Sequence, residues 1–121
     1  MMRQVLTIAK AIGDESRARA LLALREGELC LCQIIDLLKL SPSTVSKHMD
    51  VLQQAGLVER RNGGRWHYFR LANHQATPAV RRAIKWVLES LQDEPVVIGD
   101  AEKLCCVRQK DPRELSACYK S

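Results

Sequence analysis

Apolar residues recur along the chain at two spacings, and the change from one to the other marks out the elements. Val5, Ile8, Ala9 and Ile12 fall at helical intervals before Gly13-Asp14 breaks the pattern, so a first helix ends near Ile12. Arg17, Ala18, Leu21, Leu22 and Leu24 resume that period as far as Gly27, with Asp14 or Ser16 as N-cap, and predict a second helix over about residues 15–25. Leu31, Ile34, Ile35 and Leu38, at i, i+3, i+4 and i+7, put an apolar stripe on a short third helix. Ser41-Pro42 opens a fourth, with serine as N-cap and proline at the first helical position. Val45, Met49 and Leu52 face its core until Gly56 stops it. Helix, short turn and capped helix is the helix-turn-helix plan.

The period then shortens. Leu57 to Arg61 and Trp66 to Leu71 flank Asn62-Gly63-Gly64-Arg65, where Asn-Gly is a hairpin-turn signal. A β-hairpin directly after a helix-turn-helix is a wing. Val80, Ile84, Val87, Leu88 and Leu91 form the stripe of a fifth helix over about residues 78–91, ended by Asp93-Glu94-Pro95. Residues 95–121 show no clear period and read as partly irregular, and there is no internal repeat. The pattern predicts a mainly α chain with a small β-hairpin (α+β), a winged helix-turn-helix of about five helices plus a two-stranded wing. Residues 1–94 form its folded domain and 95–121 a cysteine-bearing C-terminal tail.

At 121 residues and 46% hydrophobic, the chain can close one ordinary core but not two, so one domain is expected. The formal charge of +5 fits an acidic partner, and nucleic acid is the commonest for a small basic protein. No apolar run approaches the roughly 18 residues that span a bilayer. Met1 to Ala11 carries Arg3 and Lys10 and lacks a signal-peptide plan. The expected location is the cytoplasm, with no membrane partner. Five cysteines there stay reduced, and an odd number cannot all pair within one chain. Thiolate ligands or reactive thiols are therefore expected in place of a disulfide framework.

At about 100° per residue, Ser43, Lys47, Asp50 and Gln54 lie opposite the core side of the fourth helix, with Thr44 and Ser46 at its flanks. Small hydroxyls and a lysine near a helix N-terminus suit double-stranded DNA: hydroxyls and backbone amides meet phosphate, and longer polar side chains reach base edges. Ser43, Thr44, Ser46 and Lys47 are the candidate contacts, although solvated helix positions have the same character. His48 lies nearer the core side, where it either joins the contacts or packs locally. Arg60, Arg61, Arg65 and Arg70 surround the wing tip with Asn62, and Arg61, Asn62 and Arg65 are the candidate contacts there. The same charges also protect an exposed edge strand. Trp66, Tyr68 and Leu71 do not alternate as a set, so they read as a partial core plug and not as a base-stacking platform.

The stretch ELCLCQIIDLLKLSPSTVSKHMDVLQQAGLVERRNGGRWHYFRL resembles the ArsR/SmtB family of metal-sensing winged-helix repressors, in particular its arsenic- and antimony-sensing type, over about residues 5 to 92. The most specific parts are ELCLC, LSPSTVSKHMDVLQQAGLV and the wing pattern carried by Arg61, Gly63 and Tyr68. The resemblance implies a homodimer built from the first and last core helices, so that residues 1–94 would serve both DNA binding and dimerisation. It also implies an inverted-repeat operator that is released when a toxic ion binds. In the family, Cys-x-Cys at the third helix senses arsenic and antimony and is usually completed by a cysteine three residues on; here that position is Ile35. The family's zinc site on the last helix is also missing, since His74 is the only histidine nearby.

Trivalent arsenic and antimony prefer thiolates, as do Cd(II), Pb(II) and Cu(I). In a regular helix Cys30 and Cys32 would point roughly 200° apart and could not share one ion. No Ser, Thr, Asp or Asn caps that helix before Cys30, so its first turn is expected to fray and let both sulfurs turn to one centre. Binding would then remodel the helix that positions the reader. A coupling of about 1–3 kcal/mol would weaken DNA binding roughly 5- to 150-fold.

A third sulfur could come from Cys105, Cys106 or Cys118, in the same subunit or its mate, or those three could form a separate site. Buried apolar packing is the plainer role for Cys30 and Cys32. The expectation is a DNA-binding repressor with no permanent cofactor, released by As(III) or Sb(III) on Cys30, Cys32, Cys105, Cys106 and Cys118. The alternatives are organoarsenicals, Cd(II) or Pb(II), and oxidation or sulfur species acting on the same thiols. A thiol enzyme is disfavoured, because neither a glycine-rich anion cradle nor a Cys-His pairing accompanies either cluster. A trafficking protein without DNA function is disfavoured by the helix-turn-helix and basic wing.

Overall fold

Local caps set the helix starts. The computed structural model describes residues 1–73 and 75–109, and contains α1 (Met2–Ile12), α2 (Glu15–Ala23), α3 (Leu31–Leu38), α4 (Pro42–Gln54), α5 (Pro78–Leu91) and α6 (Pro95–Gln109). Asp14 Oδ2 accepts from the Arg17 amide at 3.1 Å to begin α2. Ser41 Oγ accepts from the Thr44 amide at 3.3 Å, with Pro42 at the first position of α4. Thr77 plays the same part for α5. Such caps satisfy amides that the helix itself leaves unpaired, each worth about 1 kcal/mol. Between α3 and α4, Lys39 adopts a left-handed conformation with φ 57°, and its amide donates to the Ile35 carbonyl at 2.9 Å. The chain thereby reverses within three residues and starts the next helix at Ser41.

Leu21, Leu29, Ile34, Leu37, Val45, Met49, Leu52 and Leu57 are fully buried together. The predicted core face of α4 is thus the observed one, α3 buries Ile34, Ile35 and Leu38 as predicted but also Leu37 while Leu31 is half-buried, and the winged helix-turn-helix architecture is as the pattern predicts. Three features differ from the sequence expectation.

The sheet has three strands, not two. β1 (Leu29–Cys30), β2 (Val58–Gly63) and β3 (Trp66–Leu71) lie antiparallel in the order β1-β3-β2, with Leu29 opposite Phe69 and Cys30 opposite Tyr68. Two residues are too few to show a period, so β1 left no mark in the pattern. The hairpin connection is also shorter than expected. Asn62 and Gly63 are still paired, with His67 and Trp66, and the turn is Gly64-Arg65. Gly64 carries the positive φ (72°), the first loop position that type II′ hairpins reserve for glycine.

Residues 95–109 form a sixth helix in place of irregular chain. Val97, Leu104 and Val107 are buried at helical spacing, but Asp100 occupies the same face while Val96 and Ile98 point outward. A charge on the inner face and apolar residues on the outer one erased the stripe. The helix packs on α2 and α3. Asp100 accepts two hydrogen bonds from Arg19 of α2, from Nε and Nη2, both at 2.8 Å. Among the described residues no helix is long and apolar enough to cross a membrane.

Candidate DNA-binding surface and thiol site

The N-terminus of α4 presents a cluster of hydroxyls. Ser41 Oγ lies 2.7 Å from Thr44 Oγ1 and 3.4 Å from Ser43 Oγ. Ser43, Thr44 and Lys47 are exposed and Ser46 is half-buried, on the side away from Val45, Met49 and Leu52. Hydroxyls and one ammonium on the first turns of a 13-residue helix form a surface suited to phosphate and base edges. His48 is placed differently. Its Nδ1 accepts from Arg17 Nη1 at 3.0 Å, while the same guanidinium donates to the carbonyls of Ala11 (2.7 Å) and Lys10 (3.2 Å). Of the two roles open to His48, this geometry favours the local one.

On the wing, Arg61 donates from Nε and Nη2 to the Glu28 carboxylate at 3.1 and 2.7 Å, and its guanidinium stacks over the Tyr68 ring at 4.5 Å. A Cβ on Gly63 would lie 2.8 Å from that ring, so glycine is what lets the tyrosine lie across the strand. His67 Nδ1 lies 2.9 Å from both Asn62 Oδ1 and Arg60 Nη2, and Arg60 Nη2 is also 3.3 Å from His67 Nε2. Arg65 is exposed at the tip.

Cys30 closes β1 and is the N-cap of α3, in an extended conformation (φ −71°, ψ 148°), while Cys32 is already helical. The bend between them brings the two sulfurs to 2.7 Å. The opposition expected of a regular helix does not arise, because Cys30 lies outside the helix. Fraying is not needed either: Gln33 Oε1 accepts from the Cys30 amide at 2.8 Å and the Cys30 sulfur accepts from the third helical amide, so the start of α3 is capped. Both cysteines are buried, against Trp66 and Tyr68.

The pair shares a proton. Donation by the Cys32 thiol, helped by the Cys32 and Gln33 amides, lowers the pKa of Cys30 to about 7 against the opposing effect of burial. The same hydrogen bond, burial and the charge on Cys30 push Cys32 up. One thiolate and one thiol therefore face each other near neutral pH, a two-sulfur donor set for a soft centre.

Cys105 and Cys106 lie exposed on α6, and among the described residues no group of three His, Cys, Asp or Glu is placed to hold a metal ion. Cys118 and His74 fall outside the described residues.

Residues 14–60 match the family described as bacterial regulatory protein, arsR family. Over 97 residues, 76% of this chain and 74% of the relative, the sequence is 39% identical to the arsenic resistance transcriptional regulator ArsR1 of Pseudomonas putida. The chain belongs to the arsR family. It is a DNA-binding transcriptional regulator and not an enzyme. A second relative of this arsR-family protein is the cadmium resistance transcriptional regulatory protein CadC homolog of Staphylococcus aureus, 30% identical over 65% of this chain and 66% of its own. In structure, the arsR-family chain is similar to the homodimeric winged helix-turn-helix DNA-binding domain of a possible ArsR-family regulator from Mycobacterium bovis. The TM-score is 0.64 and the identity 26%, covering 78% of this chain and 83% of that one.

Sequence reasoning missed Arg17, Glu28 and Arg108 of this arsR-family regulator. Arg108 Nη1 and Nη2 donate to the carbonyls of Glu28 and Gly27, each at 3.2 Å. All three residues act across long stretches of chain, where no local spacing announces a partner. One consequence of the shared proton is directly measurable. Alkylation of Cys30 by iodoacetamide, followed by mass spectrometry, is expected to rise with pH about a midpoint near 7. A midpoint in the ordinary thiol range, near 8.5, would show that Cys32 does not donate to it.

Proposed function

We propose that this regulator is a repressor that holds operator DNA in its reduced, ion-free state and releases it when trivalent arsenic or antimony is captured by Cys30 and Cys32. The observation that carries this reading is the 2.7 Å approach of the two sulfurs at the joint of β1 and α3, directly beside the wing and one helix before the reader. A relative named for arsenic resistance supports arsenic; one named for cadmium resistance keeps Cd(II), and with it Pb(II), as the alternative ion. The DNA surface comprises Ser43, Thr44, Ser46 and Lys47 on α4 with Asn62, Arg65 and Arg61 on the wing. Cys105, Cys106 or Cys118 supplies any third sulfur. The working unit is a homodimer in the cytoplasm. Val5 and Leu6 of α1 and Trp86 of α5 are exposed apolar residues on the helices that would meet, and the Mycobacterium bovis neighbour is described as homodimeric.

A second reading, release by thiol oxidation, is favoured by one observation: the two sulfurs need little movement to join. Fluorescence anisotropy of a labelled operator duplex separates the readings. Arsenite is expected to weaken binding roughly 5- to 150-fold under reducing conditions. Release by Cd(II) or Pb(II) but not arsenite would reassign the ion, and release by peroxide alone, reversed by dithiothreitol, would establish the redox reading in its place.

A further inference from the structure

Cys30, Tyr68 and Arg61 occupy a single row across the sheet: Cys30 is opposite Tyr68, and Tyr68 is opposite Arg61. Residues directly opposite one another on neighbouring strands share a face, and two interstrand steps separate the ends of the row by only about 10 Å. Glu28, two residues before Cys30, has the same parity, and its carboxylate closes the row by taking Arg61. The Tyr68 ring touches the thiol pair and carries the Arg61 guanidinium over it. From the other side, Arg108 of α6 holds the main-chain carbonyls of Gly27 and Glu28.

Glu28 engages two of the five N–H donors of Arg61, whose side chain is 57% exposed. Donors remain for a DNA phosphate while Glu28 and Tyr68 fix where the guanidinium stands. A ligand seated on both sulfurs must displace or reorient the ring packed on them, and the first group beyond that ring is Arg61. We propose that Glu28 and Tyr68 are positioning residues that transmit occupancy of the thiol pair to the wing, by holding Arg61 where it meets DNA when the pair is empty and losing that hold when it is filled. The inference rests on the reading of Cys30 and Cys32 as the inducer site.

Phenylarsine oxide is a probe that needs only two sulfurs. Its trivalent arsenic forms two As–S bonds, the oxide oxygen leaves as water with two protons, and no atom changes oxidation state. In full-length protein carrying Cys105→Ser, Cys106→Ser and Cys118→Ser, so that Cys30 and Cys32 are the remaining thiols, the adduct is counted by intact mass. Operator affinity is then measured with and without it. Formation of the adduct is expected to weaken binding at least about fivefold, and to reduce the slope of log affinity against log salt by about one phosphate contact per subunit.

In the same background Glu28→Gln and Tyr68→Leu are expected to form the adduct equally well yet shift affinity less than about twofold between the two states, whereas Tyr68→Phe keeps the full response. An equal response in Glu28→Gln and Tyr68→Leu overturns the relay, as does an adduct that leaves operator affinity untouched. Failure of the probe to attach overturns the relay together with the thiol site. Failure of arsenite on the unsubstituted protein, with the probe's relay intact, overturns only the choice of inducer.

Discussion

Operator release by arsenite is expected to vanish in Cys30→Ser and in Cys32→Ser, each alone, while operator binding without arsenite stays within about twofold of the unsubstituted protein. Either substitution replaces half of a converging pair with a hydroxyl, a hard donor with little affinity for a soft centre. The remaining sulfur also loses its sulfur partner: in Cys32→Ser a hydroxyl stands where the second soft donor was, and in Cys30→Ser the thiolate is absent. A coupling of about 1–3 kcal/mol should therefore fall to nearly nothing. Anisotropy titrations at fixed arsenite measure it, with urea denaturation alongside to show that the variants remain folded. Release that survives in both variants would remove the pair from the sensor. Release lost only in Cys105→Ser or Cys106→Ser would move the ion to α6.

Asp100→Ala is expected to lower the unfolding free energy by about 3 kcal/mol. Its carboxylate is the only charge on the buried face of α6 among the described residues, and both of its oxygens accept from Arg19. Removing it leaves a guanidinium whose side chain is only 16% exposed without its partner. A buried pair broken from one side usually loses about 3–5 kcal/mol, and the residual access of water to Arg19 points to the lower end. Urea denaturation followed by circular dichroism reads the loss. A change below about 1 kcal/mol, the range of exposed ion pairs, would show that water already screens this seam. Amide exchange in α6 should rise more than in α4, because the pair ties α6 to α2 and touches nothing in the reader.

What the sequence made legible follows from the range of the forces involved. α1 through α5 were readable because their stripes, and the caps of α2 and α4, are local: Asp14 and Ser41-Pro42 sit where the chain must satisfy its own amides, and the apolar residues repeat within one or two turns. α6 was not readable, because Asp100 interrupts its inner face and its partner Arg19 is 81 residues away. The wing's existence was legible, but the position of its turn was not. Asn62-Gly63 is a strong turn signal that pairing overrides, since Gly63 is needed in the strand to seat Tyr68 and Gly64 is there to take the positive φ. The thiol pair was found by residue type alone. Its geometry depended on one backbone angle pair at Cys30, which places that residue in a strand and its neighbour two along in a helix.

Arg17 has a consequence for how far apart two readers can stand. One guanidinium donates to the carbonyl end of α1 and to His48 of α4, so a single side chain bridges the first helix and the reader. In the proposed homodimer α1 is also a contact helix, and the separation and tilt of the two α4 helices are then gauged by the packing of one α1 against its mate. Half-site spacing in the operator would be written on the outer face of α1, in Val5 and Leu6, far from any residue that touches a base.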